Sequence, residues 1–238
     1  VDALDTWVQS LLTRTTCQID DNGGLRSSNL IKLERHCGQA KGADMETRCG
    51  WAGPEQIYID YHDTEWGVPE YDSRALWEKL ILDGFQAGLS WITILKKRDN
   101  FRAAFAGLDP NVIAEWGEAE IETLLQNEGI IRHRGKIAAT ISNAKAWQKI
   151  EAAQGFDKFL WDYVGGVPLR TTIADRSAMP TFSPLSTQVS KDLKKAGFKF
   201  CGPTIVYAFM EATGLINNHT TDCPRHNVVA AMARSPAV

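Results

Sequence analysis

The chain has 238 residues, 44% of them hydrophobic and 23% charged, and carries a net charge of −3. This is the balance of an ordinary folded domain and excludes a disordered or collagen-like chain. No apolar run approaches the ~20 residues needed to cross a bilayer, and five scattered cysteines (Cys17, Cys37, Cys49, Cys201, Cys223) make a poor disulfide framework. With no basic-then-apolar start, a reducing, cytoplasmic setting is the simplest expectation.

Residues 1–44 differ from the rest of the chain. They contain DDNGG and RSSN, lack sustained periodicity, and are expected to form an extension, partly disordered or weakly helical around Leu4–Leu12. Met45 stands just before the motif-rich region, and Cys17, His36 and Cys37 are read as bystanders. From Asp72 the apolar spacing is helical. Asp72 or Ser73 caps a helix whose face is Leu76, Trp77, Leu80 and Ile81. Ser90 caps a second (WITILKKRDNFRAAF) with Ile94, Phe101 and Phe105 inward. Asp109-Pro110 is an N-cap followed by proline at the first helical position. Further helices are expected at 118–127, 135–153, 156–164, 185–196 and 203–213. The fold class is all-α over 45–225, with a tail at 226–238 expected to fray.

Four residues have metal-ligand character. Cys49 and His62 flank CGWAGPEQIYIDYHD, and His219 and Cys223 stand four apart in NNHTTDC. Two Cys and two His make the tetrahedral set that Zn²⁺ takes in structural sites, with no position left open for catalysis. Two unrelated pairs are the competing reading. His226 is a further ligand candidate in the tail.

Between two predicted helices lies EGIIRHRGKI. Gly129 is expected to end the first helix at positive φ, and Ile130 and Ile131 to fill the corner. Arg132, His133, Arg134 and Lys136 would then point outward. No Asp or Glu occurs from Gly129 to Ile150. Backbone N–H groups at the second helix's start plus these cations would seat a phosphate, although a basic turn also has purely structural uses. Aromatics crowd the first ligand pair: Trp51, Tyr58, Tyr61 and Trp66, with Trp91 further on in QAGLSW. Aromatic walls attract flat and cationic ligands. Asp83, in LILDGFQAG, follows an apolar helical face. It either turns inward or makes a local backbone bond at the helix end.

Taken in order, RCGW (48–51), YIDYHDTEWGVP (58–69), LDGFQAGLSWITILKKR (82–98), GIIRHRGKI (129–137), LKKAGFKFCGPTIVYAFMEATGLINNH (193–219) and Cys223 resemble the type I 3-methyladenine DNA glycosylases. These are a branch of the helix–hairpin–helix glycosylase superfamily. The resemblance covers 45–225 and says nothing about 1–44. It implies a structural zinc on Cys49, His62, His219 and Cys223, and a base pocket walled by Trp91 and Trp66 with Trp51 close by. Asp83 would be the base-recognising carboxylate and Tyr61 an edge contact, these two being the catalytic candidates. Well-known members carry Glu where this chain has Asp83, one methylene longer. Gly88 and Leu89 would probe the DNA, and Gly129, Arg132, His133, Arg134 and Lys136 would hold its backbone. The implied activity is monofunctional excision of N3-methyladenine from double-stranded alkylated DNA by a monomer, leaving an abasic site. The superfamily's catalytic Asp after the hairpin has no counterpart in IAATISNAKAW, and no lysine stands in a motif for a Schiff base. The alternatives are a zinc-stabilised DNA-binding module without catalysis, and a zinc hydrolase.

Overall fold

The computed structural model describes residues 48–233; the expectations for 1–44 lie outside them. Among the described residues the secondary structure is mostly helical. In chain order, helices run α1 Gln56–Thr64, α2 Ser73–Gln86, α3 Trp91–Leu95, α4 Arg98–Ala104, α5 Pro110–Ile113 and α6 Glu118–Leu125. They continue as α7 Arg134–Gln154, α8 Phe156–Trp161, α9 Pro184–Ala196, α10 Pro203–Ala212 and α11 Pro224–Ala231. Two short parallel strands, β1 Leu169–Arg170 and β2 Ile216–Asn217, pair Leu169 with Ile216 and Arg170 with Asn217. This pair is invisible in the sequence, because two residues are too few to show a period.

Local chemistry sets most helix starts. Asp72 accepts from Ala75 N at α2, Asp109 accepts from Asn111 N at α5, and Pro203 opens α10. The helix expected after Ser90 is two helices, α3 and α4, and the Ser90 hydroxyl contacts Thr93 Oγ1 at 2.8 Å instead of capping the backbone. Ile94, Phe101 and Phe105 are fully buried, as the spacing predicted. α11 occupies part of the stretch read as a fraying tail; Pro224 begins it and Val229 anchors it.

α2 is the hub, touching α3, α7, α8 and α10. Its second half, Leu80 through Phe85, is buried on every face, so it behaves as a core helix rather than an amphipathic surface one. Phe200 lies against Gly84, where an added Cβ would stand 3.5 Å from both the Phe200 Cβ and its carbonyl oxygen. The chain between α1 and α2 is sewn to the end of α10 by Gly67 N to Ala212 O (3.2 Å) and Glu70 N to Thr213 O (3.0 Å). No described helix is long and apolar enough to cross a membrane.

Candidate active site and metal centre

Cys49, His62, His219 and Cys223 come together from both ends of the described chain, fully buried, with ligand atoms all within 4.8 Å of one another. The Sγ atom of Cys49 is 3.6 Å from His219 Nδ1, and that of Cys223 is 3.6 Å from His219 Nδ1 and 3.7 Å from His62 Nε2. A tetrahedral centre with metal–sulfur bonds of ~2.3 Å and metal–nitrogen bonds of ~2.0–2.1 Å sets neighbouring S···N separations at roughly 3.6 Å. The four residues therefore fit such an ion.

The surroundings select which nitrogen each histidine presents. His62 Nδ1 donates to Asp63 Oδ1 at 2.7 Å, leaving Nε2 for the cage. His219 Nε2 donates to Trp66 O at 3.0 Å, leaving Nδ1. Asp63 is gripped by the Arg48 guanidinium at 2.8–3.0 Å. Burial raises the Asp63 carboxyl, but hydrogen bonds from Arg48 and His62 outweigh it and hold the group below the usual carboxylate range. Outer partners of this kind fix ligand orientation. By themselves the two sulfurs conflict: hydrogen bonding between them, with burial, pushes the Cys49 thiol up, while the same hydrogen bond holds Cys223 down against burial. A divalent cation removes that conflict by allowing both to ionise. His226 stands outside the four-residue group, its Nδ1 donating to His219 O at 2.8 Å. Gly67 is required here. It sits at φ +81, and a Cβ would come within 2.8 Å of His219 Nε2.

The cage is backed by aromatic rings. Trp66 meets His219 edge-on at 4.6 Å between centroids and Trp51 at 5.0 Å, while Tyr61 lies 5.3 Å from Trp91. Trp51, Tyr58, Tyr61, Trp66 and Trp91 then wall a cleft of about 260 Å³, with Asp83, Gln86 and Ser90 on one side and Ala208, Glu211 and Ala212 of α10 on the other. The five aromatics and the acid singled out from sequence thus share one cavity. Sequence reasoning missed the α10 wall, including the Glu211 carboxylate, which accepts from Asn218 Nδ2 at 2.7 Å.

It also missed Lys79. The expected inward turn of Asp83 occurs, at 1% exposure, but its Oδ1 lies 2.5 Å from Lys79 Nζ. The Asp83 Oδ2 atom is buried with no hydrogen-bond partner among the described residues. Lys79 Nζ also stands 3.9 Å from the Trp91 ring centroid, a cation–π contact. Burial pushes the Asp83 carboxyl up and the Lys79 ammonium down, and each is opposed by the charge of the other. Burial, then the Asp83 charge, holds the Tyr61 phenol far above its ordinary value, so it is a neutral hydroxyl at neutral pH. The signal for Lys79 was present: four residues before Asp83 on one helix, the two share a face.

Beside the cleft, residues 87–90 turn outward. Gly88 takes φ +80 with open space around it, and Leu89 is 42% exposed. The basic turn departs from expectation in three ways. Gly129 does not take positive φ. α6 has already ended at Leu125, and the Gly129 N–H is taken by Asn127 Oδ1 at 2.8 Å. Lys136 does not point outward: it is 7% exposed and its Nζ donates to Phe85 O at 2.8 Å and Ala87 O at 2.6 Å, capping the end of α2. His133 caps α7 by accepting from Lys136 N at 3.2 Å. Arg132 and Arg134 are exposed, but Arg132 reaches Glu128 at 3.4 Å and Arg134 pairs with both Glu118 and Glu122. Replacing Lys136 with Met is expected to lower stability by about 2 kcal/mol, since it leaves buried carbonyls without a charged donor; urea denaturation measures this.

The methyladenine glycosylase family profile matches residues 51–226. The DNA-3-methyladenine glycosylase of Haemophilus influenzae is 49% identical over 181 residues, covering 76% of this chain and 98% of that relative. DNA-3-methyladenine glycosylase 1 of Escherichia coli K12 is 51% identical over 177 residues, covering 74% and 95%. A crystal structure of 3-methyladenine DNA glycosylase I matches with TM-score 0.73 and 54% identity, over 74% of this chain and 98% of that one. A structure addressing 3-methyladenine recognition by the Staphylococcus aureus glycosylase matches at TM-score 0.73 and 42% identity, over 75% and 95%. Matched by profile over most of its length, and by identity over nearly the whole of each relative, this chain belongs to the methyladenine glycosylase family.

Proposed function

We propose that this protein excises 3-methyladenine from alkylated double-stranded DNA by flipping the nucleotide into the cleft of Trp51, Tyr61, Trp66, Asp83 and Trp91. The observation that carries the reading is the buried, half-satisfied Asp83 carboxylate in an aromatic-walled cavity. A DNA-binding module without catalysis has no use for such a cavity.

Methylation at N3 makes the base cationic in the nucleotide, so its glycosidic bond is already weak and the base leaves without being protonated. The protein's work is then extrusion and recognition. Unstacking costs a few kcal/mol, and stacking on an aromatic side chain, at ~1–3 kcal/mol per base, is of the size to offset it. Asp83 Oδ2 is an acceptor for the exocyclic amine of the base, Tyr61 supplies a neutral edge, and water attacks C1′ to leave an abasic site. Leu89, exposed on a Gly88 turn, suits the gap left by the extruded nucleotide. α6, residues 126–133 and α7 form the helix–hairpin–helix element in this reading, with Arg132, His133 and Arg134 toward the backbone and Gly129 in the turn; Lys136 supports it from within. The protein acts as a monomer.

Cys49, His62, His219 and Cys223 would hold a structural zinc, which ties the two ends of the domain behind the aromatic wall; the S···N distances and fixed histidine tautomers support this. Four protein ligands leave no position for a substrate, which argues against a zinc hydrolase.

Release of free 3-methyladenine from methylated duplex, with abasic sites but no strand breaks, tests the function; absence of release from folded, metal-loaded protein sinks it. Arg132→Ala and Arg134→Ala should each weaken duplex binding across sequences and lower the salt slope by about one. An unchanged slope in both would move the binding face elsewhere.

A further inference from the structure

Lys136 lines neither the aromatic cleft nor the metal cage, yet it is buried and its ammonium is spent on two neutral oxygens, Phe85 O and Ala87 O. Burial lowers the ammonium from its ordinary value, with no carboxylate among the described residues acting against it. Withdrawing a charge from water for two carbonyls is costly, so the place of those carbonyls matters. Phe85 lies in the last turn of α2. Ala87 lies in the turn Gln86–Leu89, which is closed by Leu89 N donating to Gln86 O at 2.6 Å. Ala87 at φ −47, ψ 116 and Gly88 at φ +80 give this turn the type II form. Types I and II differ in which way their central peptide faces, here the peptide between Ala87 and Gly88. Its carbonyl is the Ala87 oxygen that Lys136 grips at 2.6 Å. Turning that peptide over would swing the oxygen away from the ammonium. Lys136 therefore selects the type II form, and with it the direction in which Leu89 leaves the turn.

The backbone of the same residue belongs to the basic turn, where its N–H donates to the His133 ring at 3.2 Å. A second lysine crosses in the opposite direction. Lys97, between α3 and α4, donates through Nζ to Glu128 O at 2.9 Å and Gly129 O at 3.2 Å. Each ammonium thus grips a pair of carbonyls on the other's segment. The packing there is close, since a Cβ on Gly129 would stand 3.2 Å from Asn100 Cβ. Lys97 joins the two segments, and Lys136 reaches through to the turn itself.

Resting on the base-excision reading, in which Leu89 fills the gap left by the extruded nucleotide, we propose that Lys136 is a positioning residue for extrusion. It holds the Gln86–Leu89 turn in its type II form against the basic turn, so that capture of the DNA backbone by one delivers Leu89 from the other. Lys136 acts through Leu89 and touches neither the base nor the bond that breaks. Its loss should impair extrusion and leave recognition of a free base intact.

The test measures single-turnover excision of 3-methyladenine from methylated duplex by the full chain, beside its affinity for free 3-methyladenine by tryptophan quenching. Lys136→Met should lower the excision rate constant at least tenfold, with free-base affinity within threefold of wild type. In a Leu89→Ala background the same substitution should lower excision less than threefold, because the side chain being positioned is gone. A merely structural role would weaken free-base binding and cost the same in both backgrounds. The proposal is overturned by a smaller fall in Lys136→Met, by weakened free-base affinity, by a threefold or greater fall in the Leu89→Ala background, or by Leu89→Ala excising as fast as wild type. Folded wild type that releases no 3-methyladenine overturns the excision reading, and the proposal with it. Should circular dichroism show Lys136→Met unfolded, Gly88→Ala decides in its place. Gly88 is exposed and an added Cβ meets nothing within 4 Å, so alanine there opposes only the positive φ. A fall of at least tenfold that shrinks below threefold in the Leu89→Ala background supports the proposal, and any other result overturns it.

Discussion

Stripping the metal with a chelator, or replacing His219 with Ala, should lower the thermal midpoint of this protein by about 8–16 °C. Structural zinc sites in small peptides have apparent binding free energies of ~10–16 kcal/mol. Here Cys49 and Cys223 belong to a large apolar core that extends well beyond the cage, and the burial that does not depend on the ion remains without it, so only part of that should appear as lost stability. If the part is about a third, roughly 4 kcal/mol, the midpoint moves by about 2–4 °C per kcal/mol in a domain of this size. The loss should be shared by Cys49→Ala and His62→Ala, because the proposed ion would bind through all four side chains. Below the new midpoint, excision should persist in proportion to the folded fraction, since the cage supports the cleft and is not a reactant. Calorimetry with and without chelator, beside metal analysis of the untreated protein, checks this. An unchanged midpoint in protein shown to have lost its metal would remove the cage from the stability of the fold.

Trp91→Ala should reduce single-turnover excision by about a hundredfold or more while changing affinity for undamaged duplex little. Loss of stacking alone, at ~1–3 kcal/mol, gives up to roughly two decades. The side chain also positions Lys79, so the remaining wall is disturbed as well. Trp91 is buried as well as placed in the proposed base site, and the truncation should cost about 3–5 kcal/mol of stability. Trp91→Phe therefore belongs beside it: it keeps an aromatic face, and its excision should lie between those of wild type and Ala. Equal excision by wild type and a folded Ala variant would take Trp91 out of the base site.

The features legible in the sequence were those decided by neighbours in the chain. Asp72, Asp109-Pro110 and Pro203 mark helix starts because capping and proline geometry are local. The His219/Cys223 spacing announced half of a ligand cage for the same reason, and chemical type alone suggested the other half. What could not be read was set at a distance. Lys136 looked like a surface cation; its fate depends on carbonyls of Phe85 and Ala87 some fifty positions earlier. Gly129 looked like a helix terminator, yet the helix stops before it and a side chain two residues back satisfies its N–H. The glutamates that engage Arg132 and Arg134 were visible as letters, but their reach was not. Lys79 is the instructive case. Spacing tied it to Asp83, but only the packing of α2 against Trp91 reveals that a charged pair is enclosed there.

Since Cys49 and His219 meet across 170 positions of chain, a growing polypeptide on the ribosome holds no complete cage until its final stretch has emerged. Any product that stops short of Cys223 lacks a ligand and leaves the ring-lined wall without its brace. Premature termination and C-terminal trimming before Cys223 should therefore yield chains with at least the lowered midpoint of the chelated protein.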